Sequence, residues 1–254
     1  MDYDNSQIAK IRAAHTPTAI QDRLRAGRPR TYVRDFVYGA VDGIVTTFAV
    51  VSGVAGAGLS SGVVIVLGAA NLVGDGFSMA ASNYLGTRAD RQLVARARRI
   101  EEEHVVAYPD GEREEIRQIF RAKGLSGDDL EQMVALITSD QKQWIDTMIL
   151  EEYGLSPEGA TPWRAATMTF AAFLLFGALP LFSFLYEFFT PARMISPYLT
   201  SSFVTAIAFF AVGAIKGRFV GQKWYRAGGE TFIVGGTAAL LAYIVGAVLK
   251  GVVS

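Results

Sequence analysis

Two acidic residues stand where acids are costly. Between Asp42 and Asp75 the chain carries no charged residue, and each aspartate lies within an apolar run long enough to cross a bilayer. An ionised carboxylate at the centre of a membrane helix costs at least about 2.5–3.5 kcal/mol, so intramembrane acids mark function by default. Asp42 lies seven residues inside Asp35, and Met79 seven residues inside Gly86. At 1.5 Å per residue both sit about 10 Å deep from the same side, provided the first helix enters from that side and the second returns to it. Asp35 and Asp42 are seven apart, and Asp75 and Met79 four apart, so each pair shares a side of its helix. A carboxylate with a thioether offers a hard oxygen and a soft sulfur, a combination that favours softer first-row metals over Mg²⁺ or Ca²⁺. A lone methionine is ordinarily packing; its pairing with Asp42 makes it a candidate ligand.

A second set of acids lies in a polar stretch over 87–162, which holds 16 acidic and 10 basic residues. Glu101, Glu102 and Glu103 end one helical segment, Glu112 and Glu115 lie one turn apart on the next, and Met148 and Glu152 one turn apart on a third. Carboxylates from three helices could converge on divalent cations, although charged helix faces are most often simply solvated. Glu101-x-x-His104 has the spacing used in di-iron bundles. One copy on so few helices makes a redox enzyme of that type a poor reading, and no enzymatic activity is expected.

These residues need elements to hold them. A hydrocarbon core of about 30 Å takes roughly 20 apolar residues in a helix. Apolar runs over 35–56 and 63–86 are separated by "GAGLSSG", and three more follow over 165–186, 194–215 and 231–249. The expected fold is all-α: a polytopic membrane protein with five transmembrane helices and a cytoplasmic three-helix domain inserted between helices 2 and 3. The segments are a cytoplasmic N-terminal stretch over 1–34, basic and either amphipathic or loose, helices 1–2 over 35–86, the insert over 87–162, and helices 3–5 over 163–254. Within the insert, 87–106 should continue helix 2, "PDG" should turn, and "EREEIRQIFRAKG" and one long segment from Ser126 or Asp128 to Gly154 should form two further helices.

Charge sets the orientation. Lys10, Arg12, Arg23, Arg25, Arg28, Arg30 and Arg34 precede helix 1, and Lys216, Arg218, Lys223 and Arg226 lie between helices 4 and 5. The opposite loops carry Arg193, with Lys250 near the C-terminus, so the N-terminus is expected to be cytoplasmic and the C-terminus external or lumenal. No signal-peptide pattern opens the chain. Cysteine is absent, which removes thiolate sites and disulfides, and 24 basic against 24 acidic residues give no reason to expect nucleic-acid binding. Gly39 and Gly43 form a GxxxG beside Asp42, continued by Ala40, Gly53 and Gly56. Such small surfaces let helices approach closely, and a homodimer packed along helix 1 with two copies of Asp42 on one path is the economical expectation.

The stretches "RDFVYGAVDGIVTTFAVVSGVAGAGLS", "GAANLVGDGFSMAASNYLGTRAD" and "GRFVGQKWYRAGGETFIVGGTAALLAYIVG" resemble the vacuolar iron transporter family, from about Arg34 to the C-terminus. The resemblance implies five membrane helices, a homodimer with its path at the subunit interface, and export of Fe²⁺, often also Mn²⁺, from the cytosol by exchange with protons. It implies no cofactor; the metal is substrate and a ligand of the cytoplasmic domain. By motif, Asp42 and Met79 match the path residues and Asp35 the entrance aspartate. Met148, Glu152, Glu102, Glu112 and Glu115 fall at or near the domain's metal-binding positions.

The chain departs from the family pattern at Asn83, where an acid is common, and at Gln118, where a glutamate is usual. About five extra residues precede "GEREE". The alternative to transport is a membrane-anchored metal-binding or sensing protein, which would keep the insert but not require Asp42 and Met79. Short tails and Ala/Arg-rich usage favour a prokaryotic plasma membrane, with a vacuolar membrane expected in a eukaryote.

Overall fold

The computed structural model describes residues 4–25, 32–190 and 196–253, and side chains to residue 251. Arg28, Arg30 and Arg193, which enter the orientation argument, lie outside the described residues. Among those described the chain is all-helical, and it divides into two units. The first holds two short helices, α1 (Asn5–Ala14) and α2 (Pro17–Arg25), neither with a buried residue.

The second unit begins with α3 (Val33–Ala57) and α4 (Ser61–Ala107), joined by a turn in which Gly58 adopts a left-handed φ of 71°. α4 runs unbroken for 47 residues because nothing from Ser61 to Ala107 interrupts a helix: no proline occurs, and the change from apolar to charged residues changes its solvent rather than its backbone. The joint to α5 (Pro109–Ala122) is the single residue Tyr108. Pro109 takes the first helical position, where its missing N–H costs nothing, so "PDG" opens a helix instead of forming a separate turn.

The segment expected as one helix to Gly154 is two: α6 (Gly127–Thr138), with Ser126 as its N-cap, and α7 (Gln141–Glu151). Asp140 breaks it, its side chain accepting from the Gln143 N–H at 2.8 Å as the N-cap of α7. Ile116, Leu130, Val134, Ile137, Trp144 and Met148 form the apolar core of α5–α7, and Ala97 with Ile145 and Ile149 seats α7 on α4. Arg98 pairs with Asp146 across the same contact.

The third apolar run is also broken. α8 (Pro162–Gly177) gives way to a 3₁₀ turn (Leu179–Leu181) and then α9 (Phe182–Phe189). Pro180 has no N–H to donate to the preceding turn, so the α-helical ladder is interrupted there. Ser201 donates to the Pro180 carbonyl at 2.6 Å. It lies on α10 (Pro197–Val220), which ends at Gly221 with a left-handed φ of 70°; α11 (Trp224–Val253) follows. Among the described residues, five segments are long and apolar enough to cross a membrane: α3, α4, α8 with α9, α10 and α11.

The glycines of α3 are spent inside one copy of the chain. A Cβ on Gly39 or Gly43 would overlap the α8 backbone at Thr169 or Phe173, and one on Gly177 would overlap Gly43. Gly56 meets Tyr243, and Gly246 meets Gly53, in the same way on α11. The GxxxG surface expected to join two copies is therefore the seam between α3 and α8. Ala40 and Ile44 fill the adjoining core with Phe209 and Val212 of α10.

Candidate metal path and acidic cluster

An open hollow of about 740 Å³ lies beside α3, and Asp42 and Met79 both line it. Val41 and Val45 of α3 supply apolar wall, while Lys216 of α10 and Glu230 and Thr231 of α11 close another side. Asp42 is half-buried there. Thr46 folds back onto the Asp42 carbonyl at 2.9 Å, leaving the carboxylate to the hollow. Asp75 is exposed on α4, within electrostatic reach of Asp42, and takes a hydrogen bond from the Asn71 amide one turn away. Asn71 is in turn fixed by Thr47 of α3, whose hydroxyl donates to its Oδ1 at 3.2 Å. Lys216 and Glu230 carry no site role in the sequence reading, where Lys216 served topology alone; no local motif marks either.

Asp35 does not line this hollow. It is 4% exposed, and its Oδ1 accepts from Asn83 Nδ2 at 2.9 Å. The same Asn83 nitrogen donates to Thr169 Oγ1 at 2.7 Å, and Asn83 Oδ1 accepts from Thr87 at 3.3 Å. Asn83 thus ties α3, α4 and α8 together as a fully used amide. A second carboxylate in its place would face Asp35 and need a proton or a cation between them. The departure from the family pattern gives Asp35 a neutral donor in Asn83, with the exposed Arg34 guanidinium 4.0 Å from the same oxygen.

The second constellation lies where α4 meets α5. Glu101, His104 and Glu112 each offer a ligand atom, all within 4.8 Å of one another. Glu101 and Glu112 are 1% and 5% exposed, and Oε2 of each has no hydrogen-bond partner. Tyr153 donates to Glu101 Oε1 at 2.8 Å, and His104 Nδ1 lies 3.3 Å from Glu112 Oε1. Buried carboxylate oxygens left unpaired are expensive, and a divalent cation would satisfy both at once. Two carboxylates and an imidazole suit first-row divalent metals.

Burial and the neighbouring Glu101 and Glu115 push the Glu112 carboxyl up to about 7, against a small opposing effect of His104. Burial, Glu101 and Glu115 also raise Glu152, and burial with the bond to Glu101 raises the Tyr153 phenol. Glu115 and Glu152 therefore border the site electrostatically. Glu102 and Glu103 are exposed on α4 beside the buried Glu101, and Met148 is fully buried in the apolar core against Ile116 and Trp144. Gln118 is turned to Glu114, donating at 3.2 Å. His104 enters the cluster because the Tyr108 joint folds α5 back on α4; its one-turn spacing from Glu101 was the only signal.

A raised carboxyl carries a definite pH signature. The folded protein holds the Glu112 proton more tightly than the unfolded chain does. This contribution to stability is full below about 4.5 and is lost as the pH rises through about 7. The metal-free protein in detergent should therefore lose about 2–4 °C of melting temperature per kcal/mol as the pH is raised across that window. Glu112→Gln should flatten the slope, and Mn²⁺ added above the window should restore the loss. A slope that Glu112→Gln leaves unchanged would count against this placement of the proton.

The VIT family model matches residues 33–247. A protein of Toxoplasma gondii called vacuolar iron transporter is 35% identical over 263 residues, covering 99% of this chain and 87% of its own. Vacuolar iron transporter 1 of Arabidopsis thaliana is 30% identical over 221 residues, 86% of either chain. The protein of that name in Oryza sativa subsp. japonica is 31% identical over 212 residues, 83% of this chain and 82% of its own.

Proposed function

The chain belongs to the VIT family, and on that premise we propose that it carries divalent transition metal, Fe²⁺ and also Mn²⁺, out of the cytosol in exchange for protons. The observation that carries this reading is the hollow in which Asp42 of one span and Met79 of the next stand on one surface. Carboxylate and thioether together replace part of the water around a soft divalent ion and offset part of its charge, which lowers the cost of leaving water. Protonation of Asp42 from the external or lumenal side releases the ion.

The Lys and Arg distribution supports a cytoplasmic N-terminus and an external or lumenal C-terminus, so the α4–α5 cluster faces the cytosol. There Glu101, His104 and Glu112, with Glu115 and Glu152 at the border, capture metal ahead of the membrane step. Asp35 is held too deep by Asn83 and Thr169 to guide an ion by direct contact; its charge acts through the field alone. A second copy completes the path. Asp75 is exposed on α4 beside the equally exposed Val73 and Phe77, so in a lone chain it would face hydrocarbon. A homodimer covering that face removes the cost.

The test is uptake of Fe²⁺ into phospholipid vesicles holding the purified protein, under reducing conditions, with a pH-sensitive dye in the lumen. Fe²⁺ should enter with counterflow of protons. Met79→Leu, which keeps volume and removes the sulfur, should weaken half-saturation by Fe²⁺ about tenfold, the effect of roughly 1.4 kcal/mol. Metal binding at the acidic cluster with no flux across the bilayer would favour a membrane-anchored sensor instead.

A further inference from the structure

The hollow that holds Asp42 is also lined by two charges, Lys216 and Glu230, for which metal transport as described has no use. Lys216 lies four residues before the end of α10, and Glu230 six residues into α11; both line the hollow. Lys216 Nζ is 3.6 Å from Glu230 Oε2, and Gln222, from the turn between the two helices, donates to Glu230 Oε1 at 2.9 Å. Each oxygen of Glu230 therefore has one positively polarised neighbour, which fixes the plane of the carboxylate. Neither side chain is sealed: Lys216 is 32% and Glu230 58% exposed.

An ion pair between side chains this open to solvent contributes little to joining two helices. Its position is informative instead. Asp42 alone supplies one negative charge to the hollow, and a divalent cation carries two. With Lys216 bound, Glu230 is neutralised and contributes nothing; with Lys216 withdrawn, the hollow offers a carboxylate from α3 and another from α11. A lysine suits the first role, being a strongly hydrated ammonium on a flexible four-carbon stem that can swing toward the water at the end of α10.

We propose that Glu230 is a second carboxylate of the metal route and that Lys216 is its resident counter-ion, displaced when a divalent cation arrives. This rests on the transport reading. It also makes charge a selection device: a monovalent ion gains too little from one aspartate to outcompete a tethered ammonium already paired with Glu230.

Opposite signs test it. In the same vesicles, Glu230→Gln should raise the half-saturating Fe²⁺ concentration about tenfold, whereas Lys216→Met should lower it by about threefold or more. Lys216→Met should also let K⁺ at high concentration inhibit uptake, which the parent resists. Lys216→Gln carries the same expectation should the methionine variant reconstitute poorly. A pair that only holds α10 to α11 predicts the same direction for both changes, because either one breaks it. Shifts in one direction, or both within twofold of the parent while Asp42→Ala abolishes uptake, overturn the inference and leave transport standing. Uptake that survives Asp42→Ala instead sinks the transport reading itself.

Discussion

Asp42→Ala is expected to reduce Fe²⁺ uptake by at least about a hundredfold. At 1.36 kcal/mol per tenfold, that loss corresponds to about 2.7 kcal/mol of lost stabilisation of the ion in the span. The prediction depends on where Asp42 is: half-buried in a hollow beside Val41 and Val45 of its own helix, with the Thr46 hydroxyl bonded to its backbone rather than to its carboxylate. No neighbour on α3 can stand in, because Asp35 is buried in hydrogen bonds with Asn83. Asp42→Asn should lose as much as Asp42→Ala although it keeps the shape, and Asp42→Glu should keep part of the rate. Initial rates in vesicles, normalised to reconstituted protein, measure this. Uptake by Asp42→Asn within threefold of the parent would remove the carboxylate from the mechanism.

The largest effect on stability should come from Gly43→Leu, which we expect to abolish recovery of folded protein. A single Cβ there already overlaps backbone atoms of Phe173, and Gly43 in turn leaves no room for a side chain on Gly177. Backbone cannot turn aside as a flexible side chain can, so α3 and α8 would have to separate, exposing Ala40, Ile44 and Ala172. Overpacking by one or two carbons costs about 1–3 kcal/mol, and a leucine at a backbone contact more. Gly43→Ala should therefore give folded protein with a lowered melting temperature. Gly236→Ala, with nothing within 4 Å of its added carbon, should be neutral or slightly stabilising. Size-exclusion profiles and melting curves in detergent check the series; a monodisperse, parent-like Gly43→Leu would refute the packing.

Uncharged runs marked the five spans, since hydrocarbon imposes a length and excludes charge regardless of tertiary detail. The continuation of the second span to Ala107 was readable for the same reason in reverse: no breaker interrupts it. Less legible were the interruptions. Pro180 lies inside an apolar run whose hydropathy gives no hint that the helix breaks, and Ser201, which bonds its carbonyl, is on another helix. Asp140 looks like one more surface acid until its cap to Gln143 is seen. Depth could be counted from residue numbers, which is why Asp42 and Met79 could be placed together. Partnership could not. A glycine pair is equally suited to another copy or to another helix of the same chain, and α8 takes Gly39 and Gly43. Nor does spacing say that Lys216 and Glu230 line the same hollow as Asp42, because they lie on helices more than a hundred residues from it in the chain.

The uninterrupted α4 has a mechanical consequence. Its 47 residues span about 70 Å, and Asp75 and Glu101 are 26 residues, or about 39 Å, apart along one rod. A rod of that length is a lever: a tilt of about 5° with its fulcrum near Asp75 carries Glu101 sideways by about 3 Å, a distance comparable to one metal–ligand bond plus slack. Arg98 and Asp146 tie α7 to the same arm, so such a tilt would carry α7 along with Glu101. The α4–α5 cluster and the Asp42–Met79 hollow are in that sense joined by one beam, and a small tilt near Asp75 would become a ligand-scale displacement at Glu101.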